Sequence, residues 1–295
     1  MRRGVAASAG AVIARIVRPP TRLQAIEISP PLALFRRRVV GRTINRVGRL
    51  GKRILLELDS GDRIVIEPRM TGLIFLADPP DRKHLRLIIE LKGCAGARST
   101  GFSRSVPDQI RLKAGLRAPP APQQILFWDQ RGLGVVRLVS PEEFEQIYGP
   151  KKIGPDALSI TAAEFRERLR GSRRAIKVAL LDQKAMAGVG NLYASEILHR
   201  AGIHPAMPCC RLRGRQWLRL HAEMLCVLQE AIEHQGSTLR DGTYRIARDA
   251  PGSFQFRHRV YQRHGQACFA CGRTEIVRIV QAQRSTFYCP RCQRK

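Results

Sequence analysis

A chain of 295 residues with 44% apolar content is long enough to core two domains and carry a smaller appendage. Its 52 Lys and Arg face only 24 Asp and Glu, a formal net charge of +28. That balance points to a polyanion as partner, because counterion release drives basic chains onto nucleic acid.

No apolar run is long enough to span a bilayer, so no membrane partner is expected. The opening stretch, residues 1–17, has a basic head, small residues and no acid before Glu27. Arg15 interrupts its apolar run, so it reads as an amphipathic helix rather than a signal or transit peptide. Residues 33–92 read as β-rich. Within them, 53–58 (RILLEL) and 63–67 (RIVIE) are aliphatic runs joined by Asp59-Ser60-Gly61-Asp62, a hairpin signal. Further strands are expected at 73–76, 85–91, 124–128 and 134–139. Between them, 93–123 is rich in Gly, Ser, Arg and Pro and reads as a flexible basic insertion.

Residues 140–155 read as a linker with a short helix. Thr161 to Glu164 has the form of a capping box. Segments 175–183, 191–200 and 215–233 have helical spacing of apolar residues. The expected fold class is α+β multidomain: an antiparallel β-sandwich with a flanking helix (1–145), a helical domain (146–257) and a terminal finger (258–295).

The chain has eight cysteines. Cys268-x-x-Cys271 and Cys289-x-x-Cys292 have the spacing of a four-thiolate structural zinc site. The span between the pairs suits a short β-hairpin whose stability the metal supplies. That hairpin carries Arg278, Gln281, Gln283 and Arg284, cations and amides fit to meet an anion. Cys94, Cys209, Cys210 and Cys226 have no regular spacing and read as free thiols of a reducing compartment. Charge and zinc alone would also allow a zinc-ribbon RNA-binding or ribosome-associated protein.

Gly188 and Gly190 permit a tight turn before the helix at 191, and Asn191 can cap that helix. Exposed amides at a helix start form an anion site suited to a phosphate. The string from Leu180 to Gln183 and from Ala187 to Pro205 resembles the helix–two-turn–helix motif of the formamidopyrimidine-DNA glycosylase and endonuclease VIII family. The cysteine segment, including 282–289 (AQRSTFYC), resembles that family's finger. The resemblance extends along the whole chain apart from 93–123, and is nearer the formamidopyrimidine branch. It implies a base-excision-repair enzyme that flips oxidised purines (8-oxoguanine, formamidopyrimidines) out of double-stranded DNA, excises them and cuts the abasic strand. A monomer, cytoplasmic and associated with the nucleoid, follows by the same analogy.

Several roles are implied residue by residue. Lys52 resembles a lysine that meets phosphates and donates the proton of β-elimination; read alone, it is a strand-edge lysine. Met70 resembles a wedge that fills the gap left by a flipped base. Asp129-Gln-Arg-Gly-Leu-Gly134 departs from the family's D-P-R-R-F-G. Arg131 takes the place of the arginine that pairs with the orphaned base. Leu133 stands for a phenylalanine wedge, and Gly132 for a second arginine. Arg173 and Lys177 resemble backbone-approaching cations. Asn191 and Arg284 resemble the pair that holds phosphates at the lesion, with Arg284 the proton donor of δ-elimination. Residues 238–254 occupy the place of the loop over the flipped base.

One departure bears on catalysis. The resemblance implies an N-terminal Pro-Glu pair whose secondary amine attacks C1′, whereas this sequence opens Met1-Arg2-Arg3-Gly4 and has no acid before Glu27. Two readings follow. Either the recorded start is too late in a longer, active enzyme, or the chain binds damaged DNA without processing it.

Overall fold

The computed structural model describes residues 1–93, 123–237 and 252–295. They divide into two compact units. The first holds 1–48, 54–93 and 123–139; the second holds 49–53, 140–237 and 252–295. Most of the insertion expected at 93–123, with Cys94, and residues 238–251 of the loop expected over a flipped base lie outside the described residues.

The first unit begins with a single helical turn, α1 (Arg2–Val5), followed by β1 (Val12–Val17), β2 (Glu27–Ser29), α2 (Leu32–Val39) and β3 (Ile44–Leu50). Then come β4 (Arg53–Leu58), β5 (Arg63–Glu67), β6 (Gly72–Phe75), β7 (Leu85–Lys92), β8 (Gln124–Asp129) and β9 (Val135–Val139). One sheet has the order β1-β7-β8-β6, and the other β2-β9-β5-β4-β3. Every pairing described is antiparallel except β2 with β9. Ile13 and Ile16 from one sheet and Ile64, Ile66 and Val136 from the other share one buried cluster, so the sheets pack face to face. The turn at 49–53 between β3 and β4 belongs to the second unit.

Two expectations are corrected here. Residues 12–17 are a strand, not part of an amphipathic helix. The register of β1 against β7 shifts between Ile13 and Arg15, so a bulge puts Ile13 and Ile16 on the same buried face. That three-residue spacing is what imitates a helix. Residues 32–39, read within a β-rich stretch, form α2, which buries Phe35 and Val39 four apart on one face.

The second unit contains α3 (Pro141–Tyr148), α4 (Ala162–Leu169), α5 (Ile176–Leu180), α6 (Asn191–Arg200), α7 (Gly214–Glu233) and the hairpin β10 (Val277–Gln281) with β11 (Arg284–Tyr288). Ser140 caps α3 reciprocally with Glu143, and Thr161 caps α4 by accepting from the Glu164 amide. Phe165, Leu180, Ile197, Trp217 and Met224 belong to one core. The finger has its own small cluster, Val260, Cys268, Ile276, Phe287 and Cys289. At the hairpin tip both Ala282 and Gln283 have positive φ, as a two-residue turn requires.

Candidate nucleic-acid interface and metal centre

In the second unit the chain brings Lys52, Lys177, Gly188, Gly190, Asn191 and Arg284 together around the start of α6. Gly188 has φ +116°, and its amide donates to Gln183 Oε1 at 3.0 Å, so this amide serves the turn rather than solvent. The turn at 49–53 lies against it: a Cβ on Gly51 would sit 3.0 Å from Ala187 Cβ, and one on Gly190 3.5 Å from Lys52 Nζ. Arg49 holds this turn in place through Asp156, at 2.7 Å. No side chain caps α6, which leaves donors at its first turn for an anion beside the Lys52 ammonium. Withdrawal from water, then the nearby Arg284 and Arg53 guanidiniums, pull the Lys52 pKa down to about 8.

Asn191 does not cap the helix. It is the first helical residue, and its side chain turns to the finger: Nδ2 donates to the Ser285 carbonyl at 3.0 Å, and Oδ1 accepts from Lys177 Nζ at 2.7 Å. Lys177 is not a surface cation. It is 1% exposed, and its ammonium also donates to the Ser285 carbonyl at 3.1 Å and to Thr286 Oγ1 at 2.7 Å. Burial, then the Arg284 charge, lower its pKa to about 8. α5, α6 and β11 are thereby tied at one point, beside the exposed Arg284. Arg173 is exposed in the segment before α5.

The four cysteine sulfurs of the finger lie within 4.8 Å of one another, with Cys268–Cys292 at 3.9 Å and Cys271–Cys289 at 3.8 Å. Tetrahedral ligands with Zn–S bonds of about 2.3 Å are separated by about 3.8 Å. The residues fit one structural zinc held by Cys268, Cys271, Cys289 and Cys292. Cys209, Cys210 and Cys226 are free thiols.

In the first unit two loops carry the residues resembling wedges. Met70, 74% exposed, precedes β6, and Arg131 and Leu133 stand exposed between β8 and β9. Their roots share one buried carboxylate. Asp129 accepts from Thr71 Oγ1 and, at 2.7 Å, from the Gly134 amide, and Thr71 Oγ1 accepts from the Arg131 amide at 3.1 Å. Arg86, 2% exposed, donates to the Asp129 carbonyl at 2.7 Å and the Gln130 carbonyl at 3.2 Å. Gly132 has φ +66°, and a Cβ there would strike the Gln24 carbonyl. An arginine could not occupy this position without moving the backbone.

Residues 1–136 match the formamidopyrimidine-DNA glycosylase N-terminal domain, 153–243 its H2TH domain, and 265–294 the zinc finger found in FPG and IleRS. The chain belongs to the formamidopyrimidine-DNA glycosylase family. The family member from Chloroflexus aggregans is 38% identical over 269 residues, 90% of this chain and 86% of that protein. The member from Bacillus subtilis is 36% identical over 265 residues, 88% of this chain and 84% of its own length. Among family structures, Lactococcus lactis Fpg in complex with DNA containing an abasic site superposes with a TM-score of 0.78 at 29% identity, covering 100% of this chain and 97% of that one. The MutM (Fpg) protein of Thermus thermophilus gives 0.76 at 32% identity, covering 99% and 95%.

Sequence reasoning missed the family fold's internal fastenings. Glu196, 1% exposed, accepts the amides of Arg259, Val260 and Tyr261 at 2.8, 3.1 and 2.8 Å, seating the finger on α6. Burial pushes its pKa up, against three donors that favour the carboxylate. His199 Nε2 lies 3.5 Å from Cys268 Sγ, placed to donate to a zinc-bound thiolate. Asp129 and Arg86 are the corresponding anchors of the loops bearing Met70 and Arg131. The only signal in the sequence was an acid on the apolar face of α6 and a lone acid at the end of β8.

Proposed function

We propose that the chain is a base-excision-repair DNA glycosylase with abasic-site lyase activity, acting on oxidised purines in double-stranded DNA. Its family membership supports this reading. The observation that carries it is the meeting of Lys52, the uncapped start of α6 and Arg284 around the Lys177–Asn191 bridge. An anion-seeking helix start beside two cations suits a DNA phosphate. In this reading Lys52 and Arg284 approach the phosphates of the lesion strand and supply the protons of β- and δ-elimination. Lys177 acts from below, holding Asn191 and β11 in place. Met70 and Leu133 fill the space left by the flipped nucleotide, and Arg131 meets the orphaned base. Arg173 adds a contact to the backbone, and the glycine turn at 188–190 lets the phosphate approach α6. The zinc maintains the finger that carries Arg284.

The amine and glutamate that the family resemblance assigns to attack on C1′ are not among the given residues, whose first proline is Pro19 and first acid Glu27. The steps assigned to this chain's own side chains are therefore binding, lesion exposure and proton delivery. A monomer working at the nucleoid in the cytoplasm is part of the same proposal. Among the described residues no helix is long and apolar enough to cross a membrane.

Borohydride trapping on a duplex containing 8-oxoguanine tests the reading. A covalent adduct with strand cleavage would show that another amine of this chain takes the place of the family's proline and would carry the glycosylase–lyase reading. Tight lesion binding without an adduct would make the given chain a damage-binding protein. No preference for an abasic over an intact duplex would overturn the site itself.

A further inference from the structure

At the far end of α6 and of the finger, away from the Lys52–Arg284 cluster, lies a second concave feature. From Asn191 to Arg200 the helix advances about 13 Å. Its end lines a cavity of about 410 Å³, together with Glu230, Phe256, Arg257, Arg259 and Phe269, among others. This volume is in the range of ligand sites. Phe256 and Phe269 are 83% and 71% exposed, two of the most exposed large apolar side chains among the described residues. Two neighbouring phenylalanines left in water at the mouth of a cavity mark an interaction surface rather than scattered apolar residues.

The charge around them is one-sided. Glu230 accepts from Arg200 Nη1 and Nη2 at 2.7 and 2.6 Å, and this pairing, with the Cys226 thiol and the Arg257 charge, brings its pKa down to about 2, so this acid is already committed. Arg257 and Arg259 are exposed and have no acidic partner within ion-pair distance among the described residues. Arg263 lies over the Phe269 ring at 3.2 Å and donates to Gln266 Oε1 and to the carbonyls of Arg259 and Ala267. That stacking fixes the Phe269 ring outward. His258 is buried, and desolvation lowers its pKa to about 4; the cationic character comes from the arginines alone.

We propose that this surface docks an acidic segment of a partner protein that carries an apolar side chain. The apolar group enters the cavity between Phe256 and Phe269, and flanking carboxylates pair with Arg257 and Arg259. Aromatic and Arg side chains are the usual anchors of such interfaces. A duplex is a poorer fit. Its phosphates lie on a convex, evenly charged ridge, whereas this wall contains an ionised carboxylate beside two exposed aromatic rings.

The test is fluorescence anisotropy with the full, zinc-loaded chain. The probe is a labelled peptide of glutamates around a central phenylalanine pair, and the control has serines in place of the phenylalanines. Because the chain is so basic, the control measures attraction by charge alone. The phenylalanine peptide is expected to bind about tenfold tighter than the control. Phe256→Ser should abolish that difference while leaving zinc content and abasic-duplex affinity unchanged. Phe269→Ser, checked for retained zinc, should do the same. Equal binding of the two peptides, or a difference that survives both substitutions, overturns the proposal. So does a single-stranded oligothymidine that displaces the probe and itself loses affinity in Phe256→Ser, which would make this a base-stacking surface. Self-association in sedimentation that Phe256→Ser removes would overturn it in favour of a second copy of the chain.

Discussion

The two units handle their functional side chains in opposite ways. In the second, the cation at the centre, Lys177, is buried, and its three bonds weld α5, α6 and β11 together beside Arg284. In the first, Met70, Arg131 and Leu133 stand in water, and the buried fastening is a separate residue, Asp129, at the roots of their loops. In the second unit the proposed phosphate site is therefore inseparable from the packing that holds it. The residues resembling wedges can be changed at their tips without disturbing the fold that holds them.

Substitutions sharpen this contrast, and the largest effect belongs to the metal. Zinc binding by four thiolates is worth about 10–16 kcal/mol in isolated fingers. Cys289→Ser should release zinc, unfold the finger and abolish preferential binding to an abasic duplex, while most of the far-UV CD remains. Intact lesion binding without zinc would remove the finger from the site. Next comes Lys177→Met, which strips the donor from Asn191, Ser285 and Thr286. A loss of about 2–3 kcal/mol in denaturant unfolding is expected, with weaker DNA binding alongside. If affinity fell while stability held, Lys177 would be a direct contact and the contrast would fail.

Asp129→Ala should cost about 2 kcal/mol through the lost bonds to Thr71 and Gly134, and should blunt discrimination of the base opposite the lesion. Unaltered discrimination would separate the Arg131 loop from its proposed role. Met70→Ala lies at the other extreme. Stability should stay within about 0.5 kcal/mol of the parent, while abasic-duplex affinity falls about tenfold as the gap in the stack goes unfilled. A marked loss of stability would mean that Met70 packs rather than probes.

The smallest effect is one of pH. Lys52 and Lys177 both have folded pKa values near 8, below the ordinary 10.5. Their unfolded forms bind more protons between those values, so their contribution to stability increases from about pH 8 to about pH 10.5. Binding should move the other way. As Lys52 loses its charge above about pH 8, the slope of log affinity against log salt should shrink by about one phosphate contact. Lys52→Arg should keep the slope constant over this range; a slope that still falls would assign the titration elsewhere.

The ease of reading particular residues follows from the range of their interactions. Both C-x-x-C pairs, the helices expected at 191–200 and 215–233 and the hairpin at 53–67 are announced by spacing within a few residues, and each appears within a residue of where the sequence places it. The glycine turn is legible for the same reason. Less legible was β1, because its bulge replaces the period of a strand with the spacing of a helix. Lys177 looked like one more basic side chain in a basic chain, since nothing nearby in sequence shows that Asn191 and Thr286 will surround it. Gly132 looked like a missing cation until the carbonyl of Gln24 was found against it.

By itself, then, the sequence determined a basic chain suited to a polyanion, a four-thiolate metal centre and a glycine turn before α6, because charge, ligand spacing and backbone permissiveness are local properties. Tertiary structure alone decided which cations are buried and which face solvent, that Asn191 reaches the finger instead of capping its helix, and that two phenylalanines flank a cavity at the opposite end of α6. Those outcomes depend on residues distant in sequence becoming neighbours, and on burial selecting among side chains that look alike along the chain.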